Sequence, residues 1–127
     1  MTNRFATMAF LVALGACTQP GDRFLAPIED IQVPAVRAAS DTLYVDFTYT
    51  FGGCETDGGV SVEKRAGGLE FFALKVVPSD QERCICTDVL HRKPHRHAVP
   101  PGDRGDNFTL RFQQPSGTDS VRVVRTQ

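Results

Sequence analysis

Between Leu43 and Phe51 apolar residues stand at every second position: Leu43, Val45, Phe47, Tyr49 and Phe51. Asp46, Thr48 and Thr50 fall between them. Successive side chains of an extended strand point to opposite faces, so this alternation predicts a strand with one face in a core. Val45, Phe47 and Tyr49 are expected at the centre of that core. Gly52-Gly53 ends the run. Further short strands are predicted over 59–64, 69–77, 83–90, 107–113 and 120–125, with 28–33 adding another that Pro34 closes. Turn chemistry separates them: Asp57-Gly58-Gly59, Ala66-Gly67-Gly68, Pro78-Ser79-Asp80, Pro100-Pro101-Gly102-Asp103 and Pro115-Ser116-Gly117. No stretch carries a capped period of 3.6. Six or seven short strands at this spacing predict an all-β domain, a small β-sandwich or a small barrel.

The first residues follow a different pattern. Arg4 supplies a positive charge, 5–13 is apolar apart from Thr7, and Leu14-Gly15-Ala16-Cys17 follows. A charged start, a brief apolar stretch and small residues make a secretory signal peptide. The stretch is too short for a stable spanning helix. Leu14-Gly15-Ala16-Cys17 resembles the bacterial lipobox, an aliphatic residue and two small residues before a Cys. That resemblance implies a bacterial lipoprotein, with diacylglycerol on the Cys17 thiol and cleavage just before it. Thr18 follows, where Asp would imply inner-membrane retention, so the resemblance implies the outer membrane in a Gram-negative host. Cleavage removes 16 of the 127 residues and leaves 111, enough to bury a core. The expected organisation is a signal peptide over 1–16, a lipidated tether over 17–27 and a β domain over 28–127. Pro-Pro-Gly at 100–102 followed by Phe108, Leu110 and Phe112 is similar to a late hairpin of an immunoglobulin-like sandwich.

Composition adds limits. Hydrophobic residues make up 41% and charged residues 23%, ordinary for a globular chain. A net charge of -1 excludes the strongly basic type of nucleic-acid binder.

The cysteines bring the first candidate chemistry. With Cys17 acylated, Cys54, Cys84 and Cys86 remain. Export into an oxidising compartment makes a disulfide the default. Cys84 and Cys86 share a face if that segment is extended, so either can reach Cys54, with Cys86 slightly favoured because it sits further inside the predicted strand. One free thiol is then expected. All three histidines lie in His91-Arg92-Lys93-Pro94-His95-Arg96-His97. Cys84, Cys86, His91, His95 and His97 together offer soft sulfur and imidazole, a set suited to Cu(I) or Zn. Against this, the spacing matches no standard zinc pattern, and three cations interleave with the ligands. Pro94 marks the segment as a basic loop, which could touch lipid headgroups, acidic glycans or a partner.

No Gly-x-Ser-x-Gly, His-Glu-x-x-His or phosphate-binding Gly-rich loop occurs. Asp46, Glu55, Asp57, Glu63 and Asp88 are scattered and read as surface and turn residues. Arg104-Gly105-Asp106 reads as turn chemistry. The sequence therefore predicts a non-enzymatic, lipid-anchored β domain of the cell envelope, without cofactor, partnered by the membrane and not by nucleic acid. A copper- or zinc-binding envelope protein is the alternative. A third reading is an inhibitor of an envelope-directed hydrolase: small lipid-anchored β-proteins that block lysozyme are similar in size and export, although none of their motif residues occurs here.

Overall fold

The computed structural model describes residues 21–33, 40–105, 107–117 and 119–124. These form eight strands: β1 (Gly21–Leu25), β2 (Ile28–Gln32), β3 (Leu43–Phe51), β4 (Thr56–Arg65), β5 (Gly68–Pro78), β6 (His91–Val99), β7 (Phe108–Phe112) and β8 (Ser120–Val124). Two single 3-10 turns, Gln81–Arg83 and Pro101–Asp103, are the only helical pieces among the described residues. The chain is all-β, as its alternation predicts.

The strands make two sheets that pack face to face and do not close into a barrel. One has five strands and the other three, in the order β2-β3-β6. In the larger sheet β5 pairs along one side with β4. Its other side is shared: 68–71 pairs in parallel with β7, and 74–78 pairs antiparallel with β1. β8 then pairs with β7. Gly68 makes the parallel contact possible, because a Cβ there would collide with the Thr109 carbonyl. The chain starts in the larger sheet and crosses to the smaller one at Ala26-Pro27. There the Ala26 N–H donates to the Ala73 carbonyl at 2.8 Å, and the Thr50 N–H donates to the Pro27 carbonyl at 3.2 Å.

The core forms where the inner faces meet. Leu43, Val45, Phe47 and Tyr49 are buried from β3, opposite Leu69, Phe71 and Ala73 from β5 and Phe108, Leu110 and Phe112 from β7. Phe47 presents its edge to Phe71 and Phe112, at ring separations of 5.6 and 5.7 Å, while Phe71 and Phe112 stack at 5.0 Å. Period-two alternation across both sheets produces this aromatic centre.

Three sequence expectations are corrected. The segment 83–90 is not a strand: it follows the 3-10 turn as irregular chain, and Ile85 is 100% exposed. Its apolar residues Ile85, Val89 and Leu90 lack a period of two, so it has no face to bury. The strand lies further on, in the segment read as a basic loop. Pro94 is tolerated because β6 is an edge strand, where a missing N–H need not break a ladder. Pro100-Pro101-Gly102 carries the chain from one sheet to the other, and β7 pairs with β5 and β8. Pairing also begins at Gly21, so part of the segment 17–27 read as tether is strand β1.

Candidate functional site

Strand β6 places the histidines. It pairs with β3 over nine residues, from Leu43↔Val99 to Phe51↔His91. Odd-numbered residues of β6 therefore share the inner face with Val99, which is buried. His91 stacks on Phe51 at 5.2 Å. His95 lies 5.2 Å from the Phe47 ring, and His97 meets Phe71 edge-on at 5.5 Å. Burial lowers the pKa of both His95 and His97, and their mutual repulsion lowers that of His95 further. His95 Nε2 is buried and has no hydrogen-bond partner among the described residues. These two imidazoles are aromatic packing against the core, held neutral by their surroundings.

The sulfurs sit elsewhere. Cys54 and Cys86 are joined by a disulfide with a Cα–Cα distance of 5.1 Å, so the choice that spacing left open falls on Cys86. Cys84 is disulfide-bonded as well. The expectation of one free thiol is thereby corrected: no cysteine is free among the described residues. A disulfide sulfur is not the thiolate that a metal needs. Cys84, Cys86, His91, His95 and His97 do not converge, and no group of three His, Cys, Asp or Glu is placed to hold a metal among the described residues. The lipidation residue Cys17 lies outside the described residues.

The end of the sandwich that carries this disulfide also holds a polar network that spacing did not reveal. Tyr49 Oη donates to Asp57 Oδ1 at 2.6 Å, and the Gly59 N–H donates to the same oxygen at 2.8 Å. Lys93 pairs with Asp57 Oδ2. Asp57 belongs to β4, whereas Tyr49 and Lys93 belong to β3 and β6, so one carboxylate ties the two sheets together. Burial alone would raise the Asp57 pKa, but the donors prevail and pull it down to about 2. Burial and the neighbouring carboxylate raise that of Tyr49. Beside this, Glu55 accepts from the Gly52 N–H at 2.5 Å and pairs with Lys75 at 2.8 Å. Asp57-Gly58-Gly59 reads as a turn in the sequence. In the structure it is a bulge within β4, with Gly59 at a φ of +85°.

Asp57→Asn is therefore expected to cost about 1–2 kcal/mol at neutral pH, after a discount for the partial exposure of the site. A depressed carboxylate pKa contributes stability above the unfolded value of 3.8, and that contribution fades as pH falls towards about 2. Denaturant unfolding of both proteins across acidic pH should show the gap closing in that window. The histidines act at milder pH. Their folded pKa values lie below the unfolded one, so stability should fall as pH drops through the unfolded value of 6.5. His95→Gln with His97→Gln should flatten that limb; an unchanged slope would exclude them as its origin.

The opposite end of the sandwich opens into a cleft of about 510 Å³. Lys64, Leu69, His97, Val99, Asp103 and Phe108 are among its lining residues. A second hollow of about 620 Å³ lies along β2, β3 and β6, where Asp46 and Arg96 pair at 2.8 Å. Of the carboxylates singled out in the sequence, Asp46, Glu55, Asp57 and Glu63 each pair with a cation. Asp88 lies in the exposed loop. The Arg104 guanidinium donates to the Asp41 carbonyl, which ties the 3-10 turn region to the start of β3. Asp106 lies outside the described residues. No protein family, curated protein or solved structure matches the chain.

Proposed function

We propose that this chain is a lipid-anchored cell-envelope protein whose β-sandwich is a non-enzymatic binding or structural domain. The lipobox-like Leu14-Gly15-Ala16-Cys17 carries the reading, together with the start of strand pairing at Gly21. Three residues separate Cys17 from Gly21, four Cα–Cα steps that span at most about 14 Å even fully extended. The domain would then rest against the bilayer, the outer membrane in a Gram-negative host. Each buried methylene contributes about 0.8 kcal/mol, so two or more acyl chains hold a protein there stably. The cleft lined by Lys64 and Phe108, at the far end, would face away from the membrane and be open to a partner.

Cys17→Ser is expected to abolish labelling by a fatty-acid analogue and move the protein from the membrane fraction to the soluble one. Labelling that persists in Cys17→Ser would sink the reading.

A further inference from the structure

The most exposed apolar side chains of the fold cluster in one place. Ile85 is 100% exposed, Val89 55% and Leu90 54%. All three belong to the segment 84–90, which joins the 3-10 turn to β6. This segment is held firmly. The Cys54–Cys86 bond ties it to the turn between β3 and β4. Gly53 lies so close beneath it that a Cβ there would strike Thr87. Ile85 directly precedes Cys86, the residue that this bond fixes. The loop cannot fold back to hide these side chains, and a fixed apolar projection of this kind marks an interaction site.

The topology says what it faces. Gly21 pairs with Pro78, the last residue of β5, and the loop begins a few residues beyond. His91, which follows the loop, pairs with Phe51 at the same end. Gly21, the first described residue, therefore lies at the end of the sandwich that carries the 84–90 loop. We propose that the 84–90 loop is a second membrane contact, seating Ile85, Val89 and Leu90 in the headgroup boundary of the bilayer that holds the acyl chains on Cys17. This rests on the anchor reading and adds an orientation to it. Exposed charges of both signs surround the loop, Arg23 and Arg92 with Glu82 and Asp88. The contact is therefore apolar, and it should not require anionic lipid.

The chain has no Trp, so a single introduced indole reports its own surroundings. Ile85→Trp changes a side chain that touches nothing. Gly102→Trp, at the opposite end, enters open space and serves as the control. Each full-length protein is expressed and processed, its acylation verified by mass, and reconstituted into phosphatidylcholine vesicles with brominated acyl chains. The Ile85→Trp emission should shift to the blue and lose intensity, with or without added phosphatidylglycerol. The Gly102→Trp emission should match that of an indole in water. An unquenched Ile85→Trp in acylated protein overturns the loop contact and leaves the anchor standing. Protein without acyl chains on Cys17 overturns the anchor reading, and the loop contact with it.

Discussion

Phe47→Ala should lower the unfolding free energy by about 3–5 kcal/mol, the usual cost of deleting a buried ring. Phe47 is 2% exposed and is the one ring that touches the Phe71–Phe112 stack and His95 together. Its loss removes contacts from both sheets at once. The stacked pair behind it cannot collapse into the space without giving up its own geometry, so a cavity should remain. Against a typical total of about 5–15 kcal/mol, this removes a large share of the stability. Urea unfolding followed by circular dichroism checks it. A loss under about 1 kcal/mol would mean that the two sheets do not share this core.

The second large effect belongs to the disulfide. Cys54 and Cys86 are 32 residues apart in sequence, and closing a loop of that size constrains the unfolded chain by about 3–4 kcal/mol in the chain-entropy account. Replacing both by Ser should lower Tm by more than about 10 °C in a domain of this length. The double substitution is preferred because it leaves no stray thiol for exchange. The bond closes the end of the sandwich where Asp57 already joins β4 to β3 and β6. Disulfide and carboxylate should therefore couple, and adding Asp57→Asn to the double variant should cost a different amount from Asp57→Asn alone.

How far the sequence reaches follows from what each signal depends on. The alternation of Leu43–Phe51 identifies the central strand and its buried face, because period two survives any partner. Phe108, Leu110 and Phe112 do the same for β7. The class of fold follows from these and from the turns between them. The boundary errors fall where local chemistry and pairing disagree. Cys84, Ile85 and Cys86 have strand-like residue types, yet the segment has no neighbouring strand and remains exposed. His91–Val99 has basic residues and a proline, both signs of a loop. It is nevertheless a strand, because nine residues of β3 offer it an edge and its odd face meets aromatic rings. No local pattern carries that information. The parallel pairing of β5 with β7 is equally hidden, since it depends on which sheet the chain enters after Pro100.

The candidate sites divide in the same way. Spacing narrows the Cys54 partner to two residues, and only the fold selects Cys86. The Cys and His set looks like metal chemistry because five ligating residues fall within a short stretch. Extended backbone then separates the imidazoles from the sulfurs, turning His95 and His97 into the core. Asp57 carried no signal beyond a turn, because its partners Tyr49 and Lys93 come from distant strands. Cys17 is the reverse case, since its reading depends only on local sequence.

The intact mass of the mature protein, extracted from membranes, tests the central claim most directly. The account predicts a chain that begins at Cys17 and carries diacylglycerol and a further acyl chain there, with a peptide map joining Cys54 to Cys86. A chain that retains residues 1–16, or one whose Cys17 carries no acyl chain, would contradict it.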